Sequence, residues 1–144
     1  MAYGMQLSVE RPYAVVVDEV RTAMQTEGLT VVTTTDLCDA FHREFGMHIP
    51  PQIALGVCTA TLAQAALEAD PSVGLLVPCS VVVRATTEGS TVVEAPTLTM
   101  IVAITGNRAL EPVVDEVTTR LRAAFGHLAG AGGHARPNGS TAAG

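Results

Sequence analysis

The stretch LGVCTATLAQAALEADPSVGLLVPCSVVV, residues 55–83, predicts a strand, a short helix and a second strand in succession. Its apolar beginning extends back over Ile53–Cys58, a nearly continuous hydrophobic run typical of a buried strand. The Asp-Pro pair at residues 70–71 ends the helix, because helical backbone is disfavoured before a proline. Leu75–Thr86 is rich in β-branched residues and predicts the second strand.

The helix inside this stretch has two candidate capping residues. Thr59 and Thr61 each carry a hydroxyl that can accept a hydrogen bond from a backbone N–H of the first turn. Thr61 would also form a capping box with Gln64, three residues further on. Both choices suit the Ala-rich run that follows, which has high helix propensity.

Before this stretch the chain predicts two strands, each followed by a helix. Pro12 and Asp36 suit the starts of the helices, because proline presets the first turn and aspartate caps it. Glycines suit their ends. The four elements are a strand at residues 3–9, a helix from Tyr13 ending at Gly28, a strand at Leu29–Thr35 and a helix ending at Phe45 before Gly46.

After this stretch, Thr91–Ala95 pairs with the Leu75–Thr86 strand across residues 87–90 to form an antiparallel hairpin. Leu98–Thr105 suits either a strand or a helix. The final helix has the clearest pattern, since apolar residues recur at three- and four-residue steps from Leu110 to Leu128.

Together these elements predict an α+β fold, in which one antiparallel sheet is covered by helices. Strands and helices do not alternate as a doubly wound parallel fold requires. We expect residues 1–128 to form a single domain, because a chain of 144 residues with 48% hydrophobic side chains can bury one core. Residues 129–144 are rich in glycine and alanine and lack large apolar side chains, so we expect a disordered tail.

Composition narrows the classes of partner. The formal net charge is −6, and the eight basic residues are arginines scattered along the chain, which argues against a nucleic-acid partner. No apolar run reaches the roughly 18 residues that span a bilayer, and no signal-peptide pattern is present. We therefore expect a cytoplasmic protein without a membrane partner. Its three cysteines, an odd number, favour reduced thiols.

Residues 55–83 also resemble the signature of the domain of unknown function 302 family. Members typically carry Gly-x-Cys-Asn-Pro, an Ala-rich helix, an Asp-Pro pair, and Gly-Leu-Leu-Leu-Pro-Cys-Asn before a strand. The matching positions here are Gly56, Cys58, Ala63, Leu67, Asp70, Pro71, Gly74, Leu75, Leu76, Pro78 and Cys79. The resemblance extends less sharply over residues 5–128. It implies a TATA-binding-protein-like α+β fold compatible with dimers, and it brings no known activity.

The chain departs from that signature beside both cysteines. Thr59 and Ser80 stand where asparagine is usual, and Ala60 replaces the usual proline. If the asparagine side chains form a binding site in relatives, that site is altered here.

Cys58 and Cys79 are the leading candidates for a functional site. A thiol at a strand-to-helix junction can have an accessible thiolate, because a helix N-terminus favours an anion. We therefore expect Cys58, Thr59, Cys79 and Ser80 to converge on a pocket that binds a small molecule or a soft metal ion. The alternative is that both cysteines are small buried hydrophobes, since free cysteine is among the most buried residue types.

Two other functions stay open. In a thiol-dependent redox enzyme or sulfur carrier, Cys58 would be the reactive group and Cys79 its resolving partner. In an interaction module, homodimerisation alone would be the function. The sequence does not decide whether the protein is an enzyme, and it identifies no cofactor.

A separate candidate metal site lies on the helix after Asp36. Cys38 and His42 are four residues apart, hence on one helix face, and His48 follows shortly afterwards. This spacing suits zinc or copper. No fourth ligand is evident, and a solvated helix residue is the alternative interpretation of His42.

Overall fold

The computed structural model describes residues 4–130 and the backbone of residues 136–139. Its strands are β1 Gly4–Val9, β2 Thr30–Asp36, β3 Gln52–Cys58, β4 Cys79–Ala85, β5 Thr91–Pro96 and β6 Arg136–Gly139. Its helices are α1 Tyr13–Thr26, α2 Leu37–Phe45, α3 Ala60–Ala69, α4 Thr99–Thr105 and α5 Glu111–Gly130. Short 3₁₀ turns at Pro71–Leu75 and Arg108–Leu110 precede β4 and α5, respectively.

The strands lie in one sheet with the order β2-β3-β4-β5-β1-β6, and neighbouring strands run antiparallel. Each helix connects or follows strands of this sheet, as the element order requires. The predicted α+β class, an antiparallel sheet covered by helices, is confirmed.

Alternate residues of the central strands point to opposite faces of the sheet. On β4, Val81 and Val83 are fully buried, whereas Ser80 is exposed and Arg84 is half-buried. Strand pairing joins the buried members into one apolar layer, formed by Leu7, Leu55, Val81, Val83 and Val93. The other face of the sheet carries the polar members of the same strands.

Two helices supply most of the remaining core. α1 packs against β4 and α5, and α5 also packs against β1. The apolar stripe predicted on the last helix is its buried face, as amphipathic packing requires. The buried residues of the two helices are Val16, Val20, Ala23, Met24, Val114, Val117, Leu121, Ala124, Phe125 and Leu128.

The structure decides between the two candidate caps of α3 and corrects the capping box. Thr59, not Thr61, caps α3, because its Oγ1 accepts a hydrogen bond from the Leu62 N–H at 3.0 Å. The capping box is also wrong, since Gln64 donates to Glu68 in the same helix at 3.3 Å.

The strand predicted to begin at Leu75 begins at Cys79, because residues 71–75 form a 3₁₀ turn capped by Asp70. Leu98–Thr105, which suited either structure, is helical from Thr99 onward. Gly106 ends that helix in a left-handed conformation that glycine adopts without strain.

The predicted disordered tail contains a strand. α5 continues to Gly130, and Arg136–Gly139 pairs antiparallel with β1, where Gly139 lies opposite Met5 and Arg136 opposite Ser8. Hydrogen bonding to the edge of β1 compensates for the lack of large apolar side chains in this segment. Residues 131–135 and 140–144 lie outside the described residues, and the domain boundary at residue 128 stays a prediction.

Candidate functional site

The four residues predicted to form one pocket lie on two faces of the sheet. Cys79 is 4% exposed and sits opposite Val57 in the core layer. Ser80 is exposed and sits opposite Gly56 on the other face. Cys58 and Cys79 both belong to the buried core. Ser80 is apart from them, because it follows Cys79 on β4 and successive residues of a strand point in opposite directions.

Cys58 ends β3 immediately before the cap of α3. Its thiol donates a weak hydrogen bond to the Thr59 carbonyl at 3.4 Å, and its side chain belongs to the buried core. Burial raises the pKa of Cys58, while hydrogen bonding with the backbone of Thr59 and Ala63 acts in the opposite direction. The predicted effect of the helix start is therefore present, but desolvation outweighs it.

Cys79 is held still more firmly in its protonated form. Burial raises its pKa to about 12, and the nearby Cys58 contributes to the same shift. The thiolate is the form that attacks disulfides and ligates metals, and burial disfavours it at both positions. This observation favours the interpretation of both cysteines as packing residues.

Thr59 has a structural role as the N-cap of α3. Its hydroxyl accepts the hydrogen bond that caps α3, and the residue is only 9% exposed. Asparagine and threonine are both good N-capping residues, so threonine at this signature position preserves the cap. The replacement of asparagine by threonine at position 59 is therefore no evidence that a binding site has changed.

Ser80 opens onto a cavity of about 320 Å³ on the face of the sheet opposite the apolar layer. The residues that line the cavity come from β1, β3, β4 and β5. Its lining combines hydrogen-bonding side chains with apolar surface and consists of Gly4, Met5, Gln52, Ser80, Val82, Glu94, Ala95 and Pro96.

Glu94 links this cavity to a chain of hydrogen bonds across three strands. Its Oε2 accepts from Gln6 Nε2 at 2.8 Å, and its Oε1 accepts from Arg84 Nε at 2.8 Å. The Arg84–Glu94 ion pair makes this part of the site formally neutral. Sequence reasoning missed these residues. The available signal was a polar side chain at an alternating position in each apolar strand, Arg84 in β4 and Glu94 in β5.

Gly56 shapes the neighbouring part of the same face. The Thr33 hydroxyl and the Pro78 ring occupy the space that a β-carbon on residue 56 would need. Gly56 is the register partner of Ser80. The side chains of Thr33 and Pro78 that pack over Gly56 therefore lie beside Ser80. A glycine at this signature position therefore has a steric cause.

The candidate metal ligands are only partly brought together. The rings of His42 and His48 lie 4.7 Å apart between centroids, and both residues are exposed. Cys38 instead donates a hydrogen bond to the Ile49 carbonyl at 3.3 Å. Within the part of the chain that the structure describes, no three His, Cys, Asp or Glu side chains are arranged to hold a metal ion.

The helices of the described residues are all too short or too polar to cross a bilayer. A crystal structure titled "uncharacterized conserved protein DUF302 from Bacillus stearothermophilus" is similar to this chain with a TM-score of 0.75. It is 23% identical in sequence, and the match covers 88% of this chain and 98% of that chain, which shows a shared fold. No curated protein sequence matches.

The family described as "Domain of unknown function DUF302" matches residues 5–128. This range covers all of the sheet except β6 and the first residue of β1, and all of the helices apart from the last two residues of α5. It also includes the signature cysteines and the cavity residues from Met5 onward. The resemblance seen in residues 55–83 is confirmed, and the chain belongs to the DUF302 family.

Proposed function

We propose that the protein binds a small, uncharged polar molecule in the cavity above Ser80. The observation that carries the proposal is the hydrogen-bonded chain from Gln6 through Glu94 to Arg84, which reaches a cavity on the face of the sheet opposite the apolar layer. Ligand sites commonly combine apolar walls with a few convergent polar groups.

The lining supports an uncharged ligand in particular. Glu94 already accepts a hydrogen bond from Arg84, so a charged ligand would have to compete with this ion pair. Ser80 and Gln52 offer both donors and acceptors, while Val82 and Pro96 provide apolar contact. The proposal keeps the predicted small-molecule partner and moves its site from the buried thiols to the face that Ser80 occupies.

A fragment screen followed by ¹H–¹⁵N NMR tests the proposal. The probes are neutral amides, lactams and alcohols, and the readout is the set of backbone amides whose chemical shifts saturate on titration. We expect the shifted amides to cluster on residues 80–82 and 94–95. A ligand that binds only the folded state should also raise the melting temperature.

Ser80→Trp fills the cavity from an exposed position, and Thr87→Trp at the exposed β4–β5 turn is its matched control. We expect Ser80→Trp to abolish binding and Thr87→Trp to retain it. A screen without saturating shifts on this face, or equal binding by the two variants, would contradict the proposal.

A second candidate function is homodimerisation through β2 and α2. β2 is an edge strand, and six of its seven residues are exposed. Its sequence, TVVTTTD, has none of the lysines or prolines that protect an edge against pairing. A second copy can pair with this edge in antiparallel fashion, because a two-fold axis brings identical strands together.

α2 supports the same partner. It has no buried residue, and Phe45 at its end is 70% exposed, close in sequence to the exposed Met47. Its outer surface carries both charge signs, with Arg43 paired to Asp39 and close to Glu44. A surface with both signs can be complementary to itself, as an interface between identical copies requires.

Sedimentation velocity over the micromolar concentration range tests this second candidate. We expect a dimer that Phe45→Glu converts to a monomer. Leu75→Glu is the control, because Leu75 is 88% exposed and lies in the 3₁₀ turn before β4. A monomeric wild-type protein, or equal dissociation by both variants, would exclude this interface.

A further inference from the structure

We infer that a second cavity, at the junction of α1 and β2, binds the anionic oxygens of a small molecule through Arg21. The cavity has a volume of about 380 Å³. It is lined by Arg21 and Gln25 of α1, Gly28 and Leu29 of the connection, and Thr30 and Val31 of β2. It shares no lining residue with the cavity above Ser80, so this inference is independent of the proposed function.

The first argument is the charge on Arg21. Most arginines of the described residues have a carboxylate within ion-pair distance, namely Arg11, Arg43, Arg84, Arg108 and Arg120. Within residues 4–130, Arg21 has none, although the residue is half-buried. An anion in the cavity would supply the counter-ion that the described residues do not.

The second argument is the chemistry of the lining. The cavity has no carboxylate in its lining, and three of its six lining residues have side chains that can donate hydrogen bonds: Arg21, Gln25 and Thr30. Arg21 and Gln25 are four residues apart on α1 and therefore lie on the same face of that helix. In a protein with a net charge of −6, a lining that offers these donors and no carboxylate suits anionic oxygen.

A second guanidinium, that of Arg120 on α5, lies beside Gly28 and is paired with Glu116. Gly28 has a φ of +74°, and Arg120 Nη1 lies where a β-carbon on residue 28 would stand. The same Nη1 donates to the Glu27 carbonyl at 2.9 Å. The guanidinium of Arg120 is therefore held against the wall of the cavity that Gly28 forms.

These features identify the class of ligand. A guanidinium presents parallel N–H groups that match the oxygens of a carboxylate or a phosphate. The cavity volume lies in the range of sites for small molecules. We infer a small metabolite that carries one such group, and the choice between carboxylate and phosphate is made by experiment.

The test uses inorganic phosphate and acetate as separate probes at constant ionic strength, with chloride as the reference anion. Backbone amides of Gly28–Val31 report binding in ¹H–¹⁵N spectra of the full chain. We expect saturating shifts with one or both probes, and their relative affinities show which oxygen group the site prefers.

Arg21→Gln should weaken the apparent affinity by about tenfold or more, since it removes the charged donor. Arg122→Gln is the matched control, because Arg122 is exposed and has no ion-pair partner within residues 4–130. Thr30→Val, which removes a donor at the opposite wall, should weaken binding less than Arg21→Gln does.

Thermal unfolding in chloride checks that Arg21→Gln is folded. Its melting temperature should be close to that of the wild type, because Arg21 has no ion pair within residues 4–130. The absence of saturating shifts with both anions would overturn the inference. Equal binding by Arg21→Gln and wild type, or an equal loss in Arg122→Gln, would overturn it as well.

Discussion

The thiol of Cys79 donates a hydrogen bond to the carbonyl of Val57, its register partner on β3, at 3.5 Å. The contact lies in the apolar layer beneath the helices, where water does not solvate a charge. The pKa of Cys79 is therefore raised to about 12, and the fold accommodates only the protonated thiol at neutral pH.

The first prediction is a loss of stability at alkaline pH. In the unfolded chain Cys79 loses its proton near its ordinary pKa of 9.0, whereas in the folded protein it does so near 12. Below pH 9.0 the thiol is protonated in both states and its contribution to stability is complete. Above that value only the unfolded state loses the proton, so the free energy of unfolding should fall by about 1.4 kcal/mol per pH unit from this group.

Urea unfolding from about pH 8 to about pH 11 measures this slope, where the proton count of the unfolded state decreases. Cys79→Ala removes the group. In this variant the free energy of unfolding should fall less steeply with pH, by about 1.4 kcal/mol per pH unit. A variant with the slope of the wild type would contradict the assignment.

The second prediction concerns thiol reactivity, and it tests the redox-enzyme hypothesis directly. Cys38 is half-buried, while Cys58 and Cys79 are buried with raised pKa values. Iodoacetamide at neutral pH should therefore modify Cys38 first, and mass spectrometry of peptides gives the three rates. The denatured protein provides the control, in which the rates should converge. Faster alkylation of Cys58 than of Cys38 would restore Cys58 as a reactive group.

The third prediction concerns Gly56. Gly56→Ala should destabilise the protein by about 1–3 kcal/mol, because the new methyl group overlaps the Thr33 hydroxyl and contacts the Pro78 ring. Chemical denaturation measures the change. Combining it with Thr33→Ala should recover part of the loss. Gly74→Ala serves as the control, since nothing lies within 4 Å of its added methyl group.

The fourth prediction separates the two threonines that could cap α3. Thr59→Ala should cost about 1 kcal/mol of stability, because the Leu62 N–H loses its acceptor. Thr61→Ala should change stability little, since Thr61 is exposed and alanine has the higher helix propensity. A larger loss in Thr61→Ala than in Thr59→Ala would reverse the assignment of the cap.

Much of the fold was predictable because its signals are local. Asp36 caps α2 through the Asp39 N–H, and Gly46 ends the same helix with a positive φ, as their residue types predicted. The stripe on α5 likewise needs only the helical period. The segment Leu98–Thr105 was ambiguous because its run of apolar residues suits both a strand and a helix.

The site was less predictable because it depends on pairing between distant strands. Ser80 was among the predicted residues, but Glu94, which lines the same cavity, comes from β5, and its hydrogen-bond partner Gln6 comes from β1. Gln6 and Glu94 are 88 residues apart in sequence and meet through the antiparallel register of β1 with β5. That register cannot be predicted from the composition of the sequence or from the spacing of its residues.

The opposite orientations of Cys79 and Ser80 make the length of the preceding turn a determinant of the site. Inserting or deleting one residue between Asp70 and Cys79 could shift β4 against β3 by one position. Such a slip exchanges the two faces of a strand, which would carry the serine hydroxyl into the core and a thiol into the cavity. Designs that transplant this cavity to another sheet must therefore copy the spacing of the 3₁₀ turn together with the lining side chains.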